Sequence, residues 1–136
     1  MSGPAPEMIE LAKLAMSRSY SPYSHYAAGA VLRGGNGKLY AGCNVENAAY
    51  PECTCAEASA ISVMVADGER RITEILVIGS GTEIVTPCGG CCQRLSEFAD
   101  KDTPVYLCDP TGVKRTVKLG DLLPFSFDSS QLSTKP

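Results

Sequence analysis

The feature that most constrains how this chain can fold is the spacing of its cysteines. The 136-residue sequence contains seven of them, an odd number, and it begins without the basic and apolar stretches of an export signal. Such a set does not favour a disulfide framework, and clustered thiols in a chain of this kind indicate metal ligation instead. Because the ligands of one ion must meet, the segments that carry them have to converge in the fold.

Composition favours one globular domain over residues 1–136, with residues 129–136 as a loose polar tail. Hydrophobic residues make up 44% of the chain and charged residues 20%, which argues against disorder. No apolar run approaches the roughly 18 residues that cross a bilayer, so we expect a soluble, cytoplasmic protein without a membrane partner. The net charge of −3 disfavours a nucleic-acid partner, because phosphate binding needs clustered positive charge. A small, weakly charged ligand fits better.

Hydrophobic periodicity and turn residues predict the order α-β-β-α-β-α-β-β. The predicted helices start at Pro6 and end before Ser21-Pro22, cover Cys55–Ala66 and Gly89–Ala99, and add one turn at Leu119–Leu123. The predicted strands are 27–33, 38–43, Ile72–Ile78, Val105–Cys108 and Val113–Val117. We therefore expect an α/β fold, a three-layer α-β-α sandwich around a mixed five-stranded sheet.

Two motifs at predicted helix starts carry the chemistry, Cys55-Ala56-Glu57 and Pro87-Cys88-Gly89-Gly90-Cys91. Three thiolates are suitable zinc ligands, and a catalytic zinc site keeps its fourth position open. The combination of Cys-x-Glu with Pro-Cys-x-x-Cys matches the signature of zinc deaminases, in which the glutamate moves protons and is not a ligand. A Cys-x-x-Cys pair by itself is equally typical of structural zinc or redox chemistry, and a first-turn glutamate by itself could serve only the helix dipole.

With three further stretches, the chain resembles the small homotetrameric cytidine deaminases over about residues 10–127. The stretches are Tyr23-Ser24-x-Tyr26, Gly42-Cys43-Asn44-Val45-Glu46-Asn47-Ala48-Ala49-Tyr50 and Leu122-Leu123-Pro124-x-x-Phe127. The resemblance implies hydrolytic deamination of cytidine and deoxycytidine to uridine and deoxyuridine, with release of ammonia, in pyrimidine salvage. It also implies one Zn²⁺ ion per chain and sites completed across the subunits of a homotetramer.

The resemblance implies roles for individual residues at the metal. Cys55, Cys88 and Cys91 would bind zinc. Glu57 would take a proton from water, deliver it to N3 of the cytosine ring and then assist the departure of ammonia. Such a role requires Glu57 to lie within hydrogen-bond reach of both water and ring.

The resemblance further implies contacts with the nucleoside. The residues concerned are Tyr26, Asn44, Glu46, Ala56, Thr86 and Phe127. Asn44 and Glu46 would bind ribose hydroxyls, or alternatively form a turn with a solvated carboxylate. The backbone of Ala56 and Thr86 would hold the base edge and the leaving amine. Tyr26 would pack on the pyrimidine and Phe127 would reach a neighbouring subunit's site, and core packing is the alternative for both.

Two positions depart from the family pattern. Many relatives have an arginine directly after the catalytic glutamate and another after the last zinc cysteine, where this chain has Ala58 and Cys92. Each lost hydrogen bond to a charged group is worth about 1.5–3 kcal/mol. We expect an active but electronically less favourable site, in which Arg94 either supplies positive charge or lies on a solvated helix face. Cys92 and Cys53 are not expected to be ligands.

Two other functions remain open from the sequence. One is deamination of another cytosine nucleoside, such as an aminoacyl nucleoside antibiotic, because deaminases of that kind share the alanine after the glutamate. The other is a zinc-stabilised binding protein with degraded catalysis, against which the intact Glu57 argues. Asn44 and Glu46 favour an ordinary ribose, so cytidine is the leading substrate.

Overall fold

The computed structural model describes residues 3–132 and shows a mixed sheet with helices on both faces. The α-helices in this range are α1 (Pro6–Ser17), α2 (Ala56–Ala66), α3 (Gly89–Ser96) and α4 (Leu119–Leu122). The strands are β1 (Ala28–Gly34), β2 (Leu39–Cys43), β3 (Ile72–Gly79), β4 (Pro104–Asp109) and β5 (Gly112–Lys118). Short 3₁₀ turns occupy Tyr50–Glu52 and Ser129–Leu132. Within residues 3–132, no helix is long and apolar enough to cross a membrane.

The strand order is β2-β1-β3-β4-β5, and β3 and β4 run parallel. β1 pairs antiparallel with β2 through a hairpin and antiparallel with β3 on its other side, where Val31 faces Leu76. β4 returns antiparallel into β5. A parallel pair needs a crossover connection, and α3 provides it between β3 and β4. Consequently, α3 begins after the loop that leaves the carboxyl end of β3.

The core lies on both faces of the central strand β3. Leu76 and Ile78 pack with α1 on one face, whereas Ile75 and Val77 pack with α2 and α3 on the other. Because both faces of β3 are covered, residues 75–78 of the strand are an unbroken run of Ile, Leu and Val. The expected three-layer α-β-α sandwich around a mixed five-stranded sheet is confirmed.

Two sequence predictions differ from the structure by more than one residue. The third helix was expected over Gly89–Ala99, but α3 ends at Ser96. The reason is tertiary, since the Phe98 carbonyl accepts a hydrogen bond from Ile72 N–H at 2.9 Å and its ring packs against the core. Of the predicted loose tail, residues 129–132 form an exposed 3₁₀ turn, and residues 133–136 lie outside the described range.

Gly42, in β2, allows α2 to lie directly against the sheet. A Cβ atom at this position would lie 2.5 Å from the Ala60 nitrogen and 2.6 Å from the Ala56 carbonyl oxygen. Both are backbone atoms of α2, so no side-chain rotation would relieve the overlap. This close packing fixes the first turn of α2, where the first cysteine motif lies, relative to the sheet.

Candidate active site

The starts of two helices bring three thiols together. Cys55 directly precedes α2, Cys88 directly precedes α3, and Cys91 lies in the first turn of α3. Their Sγ atoms all lie within 4.8 Å of one another. Cys91 is buried, Cys55 is half-buried and Cys88 is exposed. The cluster is thus open to solvent on one side and closed by the protein on the other.

Zinc fits this donor set. Zn²⁺ binds thiolates at about 2.3 Å in tetrahedral geometry, which places neighbouring sulfurs about 3.8 Å apart. Since the three Sγ atoms already lie within 4.8 Å of one another, small side-chain rotations bring them to that spacing. Three protein ligands leave a fourth position for water or substrate, which is the pattern of catalytic rather than structural zinc sites.

The helix starts and the burial act on the thiols in opposite directions. The backbone N–H groups of Cys91 and Gly90 stabilise the Cys88 thiolate and lower its pKa, as expected at a helix N-terminus. Burial raises the pKa of Cys55 and of Cys91 above the usual range of a thiol. Metal ligation requires deprotonated thiols, so binding a cation at this cluster is coupled to proton release.

Glu57 lies in the first turn of α2, beside the thiols, and is buried with 8% of its surface exposed. Burial raises the pKa of Glu57 above the usual range of a carboxyl. Its own backbone N–H, the Cys91 thiol and Arg94 oppose that shift. A buried carboxyl next to an open metal position is suited to general acid–base chemistry.

The remaining cysteines of the two motif regions have other contacts. Cys92 is buried, and its Sγ atom lies 3.6 Å from the Pro87 carbonyl oxygen. The Cys53 Sγ atom accepts a hydrogen bond from Asn47 N–H at 3.3 Å. Across residues 3–132, the one group of at least three His, Cys, Asp or Glu ligands close enough to share an ion is the three-thiol cluster.

Tyr26 lies close to Glu57 and against two glycines. A Cβ atom at Gly79 would lie 2.2 Å from Tyr26 Oη, and one at Gly81 would lie 2.8 Å from Tyr26 Cε1. Burial raises the pKa of Tyr26, and the negative charge of Glu57 raises it further. The Tyr26 side chain remains 38% exposed, so one part of the ring is available to a ligand.

Asn44 is engaged by the protein itself. Its Oδ1 atom accepts hydrogen bonds from Ala28 N–H at 2.9 Å and from the Ser19 hydroxyl. Its Nδ2 atom donates to the Tyr26 carbonyl oxygen at 2.8 Å. These contacts give Asn44 the structural role of holding the segment that carries Tyr26. One N–H of the amide group is left over for the ribose contact that the sequence predicts.

The Glu46 carboxylate lines a cavity of about 360 Å³ together with Tyr23, Ser24, Tyr50 and Cys53. It accepts hydrogen bonds from Tyr23 N–H at 2.9 Å, from Ser24 N–H at 3.1 Å and from the Ser24 hydroxyl. The Ser24 hydroxyl is the main cause that lowers the pKa of Glu46. Glu46 is therefore an ionised acceptor in a fixed orientation, not a freely solvated side chain.

Backbone pairing places the Asn44–Glu46 segment beside the first metal motif. Val45 N–H donates to the Thr54 carbonyl at 2.9 Å, and Thr54 N–H donates back to Val45 at 2.8 Å. Because Cys55 follows Thr54, the predicted sugar-binding segment lies next to a predicted metal ligand.

The other predicted contact residues lie in three different places. Ala56 is buried at the first position of α2, and Thr86 is exposed just before Pro87. Phe127 is 52% exposed, and its backbone is held by the Gln93 amide: Nε2 donates to the Phe127 carbonyl at 2.6 Å and Oε1 accepts from Phe127 N–H at 3.2 Å.

Sequence reasoning missed Gln93 and Ser24. Gln93 follows Cys91 by two residues, which is a weak signal. Ser24 stands in the Tyr23-Ser24-x-Tyr26 stretch, but no role was assigned to it because its partner Glu46 is distant in the sequence.

An open zinc position beside a buried acid–base carboxyl is what a zinc hydrolase requires, and this fold supplies both. Residues 4–107 match the family model described as "Cytidine and deoxycytidylate deaminase zinc-binding region". The chain therefore belongs to the cytidine and deoxycytidylate deaminase family.

Individual relatives are similar over nearly the whole chain. Cytidine deaminase of Sporosarcina psychrophila is 37% identical over 127 residues, which cover 93% of this chain and 93% of that one. The counterpart from Halalkalibacterium halodurans is 33% identical over 93% of this chain and 96% of its own. A crystal structure of cytidine deaminase from Burkholderia pseudomallei matches with a TM-score of 0.85 and 38% identity, covering 92% of this chain and 100% of that chain.

Proposed function

We propose that this zinc hydrolase deaminates cytidine and deoxycytidine to uridine and deoxyuridine, with release of ammonia, as a step of pyrimidine salvage. The observation that carries the proposal is the Glu57 carboxyl buried beside three convergent thiols. The names of the similar proteins, cytidine deaminases at 33–37% identity over most of the chain, support the choice of substrate.

One zinc ion per chain is held by Cys55, Cys88 and Cys91. When bound, the ion acts as a Lewis acid that makes water a stronger acid and a better nucleophile. Glu57 takes the proton of the attacking water and delivers it to ring N3, while the water oxygen bonds to C4. Glu57 then carries the second proton to the amino group, the C4–N bond breaks, ammonia leaves and the C4 carbonyl forms.

The remaining residues position the nucleoside. The backbone of Ala56 and Thr86 holds the base edge and the leaving amine, and Tyr26 packs on the pyrimidine face. The free N–H of Asn44 and the carboxylate of Glu46 bind the ribose hydroxyls, since an amide donor and an ionised acceptor are complementary to a diol. A site built to pair with these hydroxyls rejects ligands that lack them.

At the level of the whole chain, we propose one domain over residues 1–136 that assembles into a homotetramer, with Phe127 completing a neighbouring site. The exposed rings of Phe125 and Phe127, at 96% and 52%, support an assembly that covers them. A cytoplasmic location is supported by the seven free thiols, which stay reduced in that compartment.

The first experiment follows the loss of cytidine absorbance with zinc-loaded wild type, Glu57→Gln and Glu7→Gln. Glu57→Gln removes the proton carrier and keeps its shape, so turnover is expected to fall by about 10²–10⁴-fold with the zinc content unchanged. Glu7, exposed at the start of α1, is the matched control and its variant is expected to retain full activity.

Two results would count against this proposal. Turnover by wild type of a different cytosine nucleoside, but not of cytidine, would assign the alternative substrate class. Zinc binding without turnover of any nucleoside in a panel would assign a zinc-stabilised binding protein.

A further inference from the structure

Arg94 lies on the same side of α3 as Cys91, one helical turn further along. Its Nη1 atom lies 3.9 Å from the Cys91 Sγ atom, within hydrogen-bond distance for a sulfur acceptor. Residues three apart on a helix face each other, so this contact follows from the helix geometry and not from a chance orientation of a long side chain.

A second thiol borders the same space as the guanidinium. A Cβ atom on Gly90 would lie 3.4 Å from Arg94 Nη1 and 4.0 Å from the Cys88 Sγ atom. The space above Gly90 is therefore shared by the guanidinium and the Cys88 sulfur, and glycine leaves it free of side-chain atoms. A planar group with several N–H donors can serve two neighbouring sulfurs at once.

The opposite helix leaves room for the guanidinium. Arg94 and Ala58 line one groove between α2 and α3, and the Ala58 side chain is a single methyl group. Within residues 3–132, Arg94 takes part in no ion pair with a carboxylate. In this range, its guanidinium is therefore not held by a direct ion pair, although it lies close enough to Glu57 of α2 to oppose the rise in pKa that burial causes in that carboxyl.

The metal site lacks other positive groups in the described range. Arg94 is the one cation among the charged groups that act on Cys55 and on Glu57, and it opposes the rise in pKa that burial causes in both. Three thiolates on a divalent ion leave one net negative charge, and the Glu57 carboxylate adds another. A cation that donates hydrogen bonds to a ligand sulfur offsets part of this negative charge.

We propose that Arg94 is a positioning residue of the zinc centre, which donates a charge-assisted N–H···S hydrogen bond to the Cys91 thiolate and thereby retains the metal. The inference rests on the proposed function, since it assumes the three-thiol zinc site. It assigns to α3 the positive charge that is missing at position 58 of α2. Outer-shell partners of this kind orient the ligands and tune the metal.

The test measures the zinc dissociation constant by competition with a chromophoric chelator. Arg94→Met keeps the length of the side chain and removes its charge and donors, and the dissociation constant is expected to rise about 10- to 100-fold. Arg115→Met is the matched control, because Arg115 is exposed on β5 and the net charge changes equally. The control is expected to bind zinc as wild type does.

Three further experiments distinguish the effect of the Arg94 charge on the metal from an effect on folding. In Co²⁺-substituted protein, the sulfur-to-cobalt charge-transfer band is expected to shift in Arg94→Met and not in Arg115→Met, since the hydrogen bond acts on the ligand sulfur. The double variant Arg94→Met/Ala58→Arg, which offers a guanidinium from α2, is expected to recover much of the lost affinity. Arg94→Lys, which keeps a charge without the planar donors, gives an intermediate affinity and serves as the test if Arg94→Met does not fold.

Unchanged zinc affinity together with an unchanged cobalt band in Arg94→Met, or in Arg94→Lys where that variant is the test, would overturn the inference. Failure of the wild type to bind zinc at all would overturn the proposed function instead, so the two failures are distinguishable.

Discussion

Tyr26 and Gly79 meet beside the candidate active site at a distance that only glycine permits. A Cβ atom on Gly79 would lie 2.2 Å from Tyr26 Oη and 3.0 Å from its Cζ atom, and 3.1 Å from Val85 Cβ. The ring keeps its position because residue 79 has no side chain. In the proposed complex, the Tyr26 ring contacts the pyrimidine. Gly79 therefore influences the position of the base through Tyr26, without contacting the base itself.

Gly79→Ala is expected to displace the Tyr26 ring and raise KM for cytidine about 5- to 100-fold, equivalent to the roughly 1–3 kcal/mol that overpacking costs. kcat is expected to change less, because Glu57 and the thiols lie on other elements. Steady-state kinetics of Gly79→Ala, Tyr26→Ala and the double variant check this. The double variant should be no worse than Tyr26→Ala, whereas additive losses would show that Gly79 acts independently of the ring.

At the scale of single residues, the sequence predicts a functional residue when its partners are close to it in the chain. Cys88 and Cys91 share one helix start, and Cys55 and Glu57 share the other, so their spacing alone places them correctly within each motif. Asn44 is different, because its partners Ser19 and Ala28 come from distant segments. No local pattern predicts that its amide holds the chain around Tyr26.

At the scale of elements, the contact between β2 and α2 has no spare volume. A Cβ atom at Gly42 would overlap backbone atoms of Ala60 and Ala56, and Ser59 Cβ at 2.7 Å. Because α2 begins with the first cysteine motif, its height above the sheet also sets the position of Cys55 and Glu57 relative to α3.

Gly42→Ala is expected to lower the free energy of unfolding by about 1–3 kcal/mol, since the helix must move away from the strand. Gly35→Ala is the matched control, because its Cβ would make an ordinary contact of 3.4 Å with the flexible Arg71 side chain. That change is expected to stay within about 0.5 kcal/mol of wild type. Urea unfolding at saturating zinc measures both, and equal stability of the two variants would contradict the packing argument.

The sequence predicts the elements themselves well, because β3 is apolar on both faces and α1 and α3 have clear helical periodicity. The end of α3 could not be predicted, since it depends on the hydrogen bond between Phe98 and Ile72. The 3₁₀ turn at Tyr50–Glu52 has no apolar pattern of its own and was likewise missed. Local sequence therefore predicts where an element begins better than where it ends, because the ends depend more on tertiary contacts.

At the scale of the whole molecule, the segment after α4 presents aromatic rings to solvent. Phe125 is 96% exposed and Phe127 is 52% exposed, although the Gln93 side chain holds the Phe127 backbone in place. A segment that is fixed by hydrogen bonds and still exposes its rings fits a surface that another copy of the chain covers. Gln93 lies two residues after Cys91, so its two hydrogen bonds with the Phe127 backbone attach this segment to α3.

Mixing two defective chains tests whether Phe127 completes a neighbouring site. Glu57→Gln lacks the proton carrier but keeps Phe127, and Phe127→Ala keeps Glu57, so a mixed assembly contains sites with both residues intact. Co-expression in equal amounts is expected to restore about one quarter of wild-type activity, from random mixing of the two chains. Light scattering is expected to give the mass of four chains.

The control pair is Glu57→Gln with Cys88→Ser. The structure brings Glu57 and Cys88 together within one chain, so every site in that mixture lacks one of the two and no recovery is expected. Recovery in the first pair and not in the second would assign Phe127 to the neighbouring site. A four-chain assembly without recovery in either pair would place Phe127 in its own chain's site. A monomer would remove the assembly altogether, and the exposed rings would then need a different partner.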